Sequence, residues 1–268
     1  MKSILKMKKI TNIILLLVGI VFLAACSKDT ETTPSPEKTK IAESTTSSGL
    51  IVSLYSDNTS YLVAYNKVYV QVKKADGTSL SNATVTYSSL MDMMTMTHSS
   101  PVEQPIYNTS DQLYEGAVVF SMPSGDMGTW GLTVKVNNES LVFNVPVNST
   151  ATNTKHTGTF VGTDGKSYSV SIVQPAAPQT GMNDLEVLVN VKQDLLNFPA
   201  DASLTIEVTP EMPSMGHGSP NNVNPVSSGN GHYTGKVNFT MTGDWRLHLK
   251  LLRNNTVIVE DAALDLLF

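Results

Sequence analysis

The chain repeats itself. Between residues 119 positions apart, Val70 matches Val189, Val72 matches Val191, Lys73 matches Lys192 and Ala83 matches Ala202. The same spacing pairs Met93 with Met212, Met96 with Met215, His98 with His217, Pro101 with Pro220 and Tyr114 with Tyr233. It continues through Gly116 and Gly235, Val118 and Val237, Phe120 and Phe239, and Met122 and Met241. After that the first copy carries four extra residues before Trp130, whereas the second runs from Met241 through Thr242-Gly243-Asp244 to Trp245. A period this long in only two copies means two tandem domains, not a solenoid. The matches place them at residues 49–148 and 158–268, with a Thr/Asn-rich join from Asn148 to Thr157.

Within each copy, short runs alternate apolar with polar residues, as in Lys67-Val68-Tyr69-Val70-Gln71-Val72 and Leu132-Thr133-Val134-Lys135-Val136. Period two means strands. Turn signals such as Ala75-Asp76-Gly77-Thr78 and Asn137-Asn138 separate them, and no helical period recurs after Cys26. Several short strands at this spacing predict an all-β chain of two antiparallel sandwiches. Trp130 and Trp245 are expected inside them, with Leu132 and Leu247 two residues on pointing to the same face.

The one cysteine excludes a disulfide framework or a thiolate zinc cluster within the chain. Its position gives it another role. Lys2, Lys6, Lys8 and Lys9 precede an apolar run from Ile10 to Leu23, shorter than the roughly 20 residues of a spanning helix. The run ends in Leu23-Ala24-Ala25-Cys26, which resembles a bacterial lipoprotein signal. Residues 1–25 are therefore expected to be removed and Cys26 to carry lipid, placing the body in the cell envelope, on the outer membrane. Removal lowers 18 basic residues to 14 against 23 acidic ones, a net charge of −9. Such a body lacks the clustered positive charge of a nucleic-acid binder, and its membrane attachment must rest on the lipid. Residues 26–48, rich in Thr, Ser, Pro, Glu and Lys, read as the lipidated cysteine and a flexible tether with a reach of about 25 Å.

The order of features in each copy resembles the extracytoplasmic immunoglobulin-like modules called YtkA-like or FixH-like, which are similar to copper-resistance sandwich domains. The residues that carry the likeness are a polar turn before a small residue and a strand (Asp76 to Ala83), a Met/His loop, a Tyr-x-Gly strand, and a closing Met with Gly-Asp-Trp-x-Leu. Copy two has the fuller form, with Met212-Pro213-Ser214-Met215-Gly216-His217-Gly218 and Gly243-Asp244-Trp245. Copy one departs from it, with Met91-Asp92-Met93-Met94-Thr95-Met96-Thr97-His98 and an insertion before its tryptophan. The resemblance implies immunoglobulin-like sandwiches; for activity it is less specific, since such modules serve in metal handling and oxidase assembly.

Of the 12 methionines, Met91, Met93, Met94, Met96, Met122, Met127, Met212, Met215 and Met241 fall in or just after the two Met/His loops. Thioether sulfur is a soft donor that selects Cu(I), and imidazole suits copper in either state. The expected ligands are Met93, Met96, His98 and Met122 in copy one, and Met212, Met215, His217 and Met241 in copy two. If the loops are extended, Met94, Met96 and His98 share one face, as do Met215 and His217. The competing reading is structural, because Met is an adaptable core filler and Met122 and Met241 each follow a core Phe by two residues. His232 has no counterpart, since Leu113 holds its place in copy one. No Gly-x-Ser-x-Gly elbow, phosphate loop or zinc-protease His pair is present. The sequence thus predicts a non-enzymatic, lipid-anchored envelope protein binding copper or another soft metal. The alternative is an interaction or assembly module whose methionines dock another envelope protein.

Overall fold

The computed structural model describes residues 38–268. The signal at 1–25, the lipid site at Cys26 and the first part of the tether lie outside the described residues. Among the described residues there is no helix. The chain forms two antiparallel β-sandwiches in tandem, each around its own hydrophobic core.

The first sandwich contains β1 (Thr39–Thr45), β2 (Ile51–Ser56), β3 (Tyr61–Leu62), β4 (Tyr65–Lys73), β5 (Val85–Asp92) and β6 (Thr97–His98). It continues with β7 (Val102–Asn108), β8 (Leu113–Val119), β9 (Thr129–Val136), β10 (Glu139–Val145) and β11 (Val147–Asn148). One sheet has the order β1-β2-β4-β8-β7, the other β10-β9-β5-β6, and β3 and β11 make a short parallel pair. The second comprises β12 (Thr157–Val161), β13 (Ser167–Gln174), β14 (Gly181–Lys192), β15 (Thr205–Met212), β16 (His217–Gly218) and β17 (Val223–Gly229). β18 (His232–Phe239), β19 (Asp244–Arg253), β20 (Thr256–Val259) and β21 (Leu264–Leu267) complete it. Its sheets run β12-β13-β14-β18-β17 and β16-β15-β19-β20, with β21 also on β19.

Alternation sets which side chains meet. On β5, Val85, Tyr87, Ser89 and Met91 are buried while Thr86, Ser88, Leu90 and Asp92 face out. On β19, Trp245, Leu247, Leu249 and Leu251 all point inward. Trp130, Leu132, Trp245 and Leu247 are buried in the positions their spacing predicts.

One expectation is corrected here. Thr39–Thr45, inside the stretch read as a tether, is a strand paired with β2. Its composition looks disordered because an edge strand needs few apolar residues: Ile41 and Ala42 pack on the first core, and Glu43 accepts hydrogen bonds from Lys40 and Ser53.

Strand pairing also refines the repeat. Val70 lies opposite Tyr114 just as Val187 lies opposite Tyr233, so β4 and β14 correspond at an offset of 117, while β8 and β18 keep 119. Met91 pairs with His98 as Met212 pairs with His217, so β5 and β15 correspond at 121. The differences are even numbers, which keeps every inward residue inward and made the sequence match look uniform.

Gly116 and Gly235, repeated on β8 and β18, lie under the bulged edge strands. A Cβ on Gly116 would come within 2.6 Å of the Glu103 carbonyl oxygen, 2.8 Å of the Tyr87 ring and 3.1 Å of the Pro105 nitrogen. Two of those atoms are backbone, so the neighbour cannot rotate away. Gly116→Ala is expected to cost about 1–3 kcal/mol by overpacking, seen as a lower urea midpoint; an unchanged midpoint would contradict the close approach of β7.

Candidate functional site

Both Met/His loops sit at the same place, where β5 turns into β6 and β15 into β16. In copy one, the His98 ring stands edge-on to Trp130, with centroids 5.3 Å apart. Its Nδ1 lies 3.0 Å from the Ser99 carbonyl oxygen. A carbonyl only accepts, so Nδ1 carries a proton, and in the neutral ring Nε2 presents a lone pair. That Nε2 lies 3.4 Å from the sulfur of Met122. Met122 is itself fixed, because the Trp130 indole N–H donates to its carbonyl oxygen at 2.8 Å.

Copy two repeats the frame. His217 Nδ1 donates to the Gly218 carbonyl at 2.9 Å, the ring stands edge-on to Trp245 at 5.9 Å, and the Trp245 indole donates to the Met241 carbonyl at 2.9 Å. Among the described residues, the imidazole-to-thioether contact forms only in copy one. Met241 is 38% exposed instead.

The Gly-Asp-Trp motif is explained residue by residue. Gly243 has φ of +139°, and a Cβ there would strike the terminal methyl of Met212. Asp244 accepts from both the N–H and the hydroxyl of Ser214, closing the loop between Met212 and His217. The Ser214 hydroxyl is the main cause holding the Asp244 carboxyl below its ordinary range. Trp245 then sets the histidine and the Met241 backbone. In copy one, Asp92 does the corresponding work by accepting from the Met94 N–H at 3.1 Å.

The predicted ligands separate into three groups. His98 and Met122 come together. Met93 and Met212 do not join a site: Met93 is half-buried against the first core, and Met212 is 5% exposed within the second. Met91, fully buried, is the true counterpart of Met212, and the sequence match to Met93 arose because the first loop is two residues longer. Met96 and Met215 are 46% and 59% exposed. The expected extended faces are corrected by backbone: Met94 has φ of +62°, and Gly216, with φ of +63°, turns the chain between Met215 and His217. Met215 and Gly216 N–H groups both donate to the Met212 carbonyl, as a tight turn requires. Sequence reading placed Trp130 and Trp245 in the cores but missed that they, with buried Met91, frame the loops. The signal was the invariant order of Met, His and Trp in both copies.

Residues 163–250 match the YtkA-like family model. The second sandwich is similar to YtkA-like domains. The match spans β13 to most of β19, including the whole second Met/His loop and Trp245. No curated protein matches the chain. Among solved structures it is similar to the Escherichia coli adhesin FdeC, with 16% identity and a TM-score of 0.25 over 84% of this chain and 65% of that one. It is also similar to Yersinia pseudotuberculosis InvD, with 15% identity and a TM-score of 0.26 over 77% of this chain and 53% of that one. The chain thus spans less than two thirds of either.

Proposed function

We propose that the chain is a lipid-anchored, non-enzymatic protein of the cell envelope that holds a soft metal ion, copper(I) foremost, at the Met/His ends of its sandwiches. Cys26 is the lipid attachment and the outer membrane its location. The observation that carries the metal reading is His98 Nε2 facing the Met122 sulfur at 3.4 Å while Nδ1 is engaged by the Ser99 carbonyl. A soft ion held there would take its nitrogen donor from His98 and a thioether donor from Met122. Thioether and imidazole are the soft and borderline donors that suit Cu(I), and neither thioether needs to lose a proton to bind. Met96, exposed beside His98, is the nearest further donor along the chain. Among the described residues no group of three or more His, Cys, Asp or Glu side chains forms a hard-ion cage.

Titration of residues 28–268 with Cu(I) against a competing chelator tests this. His98→Ala and Met122→Leu are each expected to weaken copy-one binding about tenfold or more, equivalent to at least ~1.4 kcal/mol. Met94→Leu, at a side chain 86% exposed, leaves it unchanged. Equal affinity in all variants, those at His217 and Met241 included, would refute the metal reading. A second reading has its own observation: Met94, Met96, Met127 and Met215 are all exposed thioethers, a surface suited to docking another envelope protein. That reading predicts loss of a partner, not of copper, on their replacement by serine.

A further inference from the structure

Four side chains from both sandwiches converge beside the groove between them. His232 of β18 contacts Glu103 of β7 through Nε2 and Glu186 of β14 through Nδ1, the latter at 2.8 Å. Tyr65 of β4 donates its hydroxyl to the other oxygen of Glu103 at 2.7 Å and stands edge-on to the His232 ring. Glu103 and Tyr65 belong to the first sandwich, His232 and Glu186 to the second. A second contact lies nearby, where the Ser99 N–H donates to the Leu195 carbonyl at 2.7 Å.

The repeat shows that this cluster is not part of the common fold. By strand pairing, His232 corresponds to Leu113, Glu103 to Val223, Glu186 to Tyr69 and Tyr65 to Met182. The two copies share their core and their loop frame, yet differ at all four positions of this cluster. A residue shared between copies serves each sandwich; one that differs where they touch serves the contact.

We infer that Glu103, His232 and Glu186 form a pH-sensitive latch that fixes the orientation of the two sandwiches. An imidazolium between two carboxylates donates from both nitrogens, one to each domain's acid, and a neutral imidazole donates from only one. The hydrogen bond to Glu103 raises His232 above its ordinary 6.5, with burial opposing. Burial pushes Glu103 up, but the hydrogen bonds from His232 and Tyr65 and the charge of His232 bring it below its ordinary 4.5. The raised group contributes fully below 6.5 and loses its contribution as pH rises through its folded value; the lowered group loses its own as pH falls through its folded value. The latch is therefore closed between those two folded values. Lys67 and Glu115, the other charged groups lining the groove, both stand on the first sandwich. Neither contacts His232.

The test needs no metal, so its outcome is independent of the copper reading. Spin labels on ketone-bearing residues introduced at exposed Thr86 and Glu207, one per sandwich, report the interdomain distance in the full chain in lipid nanodiscs. At about pH 6 a single narrow distribution is expected, and at about pH 10, past histidine titration, it broadens. His232→Leu, which installs the residue of the first copy, is expected to give the broad distribution at both pH values. Glu103→Gln, nearly isosteric, should do the same and keeps a readout if the leucine variant misfolds. His248→Gln, at a histidine that bridges Glu211 and Asp261 wholly within the second sandwich, should respond to pH as the unmodified chain does. A narrow distribution at both pH values in the unmodified chain overturns the latch. So does a wild-type pH response in His232→Leu or Glu103→Gln.

Discussion

Trp130→Ala is expected to destabilise the first sandwich by about 3–5 kcal/mol, the usual range for deleting a buried large aromatic. Trp130 is fully buried, packs against Phe120 at 5.1 Å and against His98, and satisfies the Met122 carbonyl. Against a total stability of about 5–15 kcal/mol for a domain, that loss removes a large share. Trp130→Phe retains most of the ring but leaves the carbonyl without its donor, so about 1–3 kcal/mol is expected from that alone. Urea unfolding followed by circular dichroism, with the remaining Trp245 reporting the second sandwich, separates the two domains. The first transition should move to lower urea while the Trp245 signal holds its place. A first transition unmoved in Trp130→Ala would show that the indole is not part of the core it fills.

Tyr233→Phe is the second large effect. Its hydroxyl, on a side chain with no exposure, donates to the Asp201 carbonyl at 2.8 Å and accepts from the Leu204 N–H at 2.9 Å. One oxygen thus ties β18 to the segment entering β15 on the opposite sheet. Phenylalanine leaves a buried donor and a buried acceptor unpaired, and the two together should cost about 2–4 kcal/mol. Tyr114 makes the same pair of contacts to Leu80 and Ala83 in copy one, in a wetter setting where water replaces the lost partner. Tyr114→Phe is therefore expected to shift the melting temperature less than Tyr233→Phe. Equal shifts would mean that burial does not set the size of the effect.

The strands, the two sandwiches and the inward tryptophans were legible because they rest on period two and on the repeat, both local properties of the sequence. What was not legible depended on distance across the fold. Met93 looked like the partner of Met212 because an even-numbered slip preserves polarity, and only the pairing of Met91 with His98 reveals the longer loop. Met94 and Met215 seemed to share a face with their histidines until a left-handed residue intervened in each loop. β1 was hidden because its polar residues find partners on β2 that no spacing rule displays. The proximity of His98 to Met122 was readable as a suggestion from strand order; the fixing of the imidazole tautomer by the Ser99 carbonyl was not.

The edge position of β1 has a mechanical consequence. A pull applied through the residues before Lys38 enters the fold at the open end of the β1–β2 hairpin. The bulge between Lys40 and Ala42 leaves two pairs, Thr39 with Ser56 and Lys40 with Tyr55, outside four uninterrupted ones. Those outer pairs yield first, like the first teeth of a zip. Peeling then meets the far end, where Glu139 of the opposite sheet accepts hydrogen bonds from the backbone and side chain of Ser48 and pins the turn. Tension entering from that end would be absorbed along this one strand before it reached either loop.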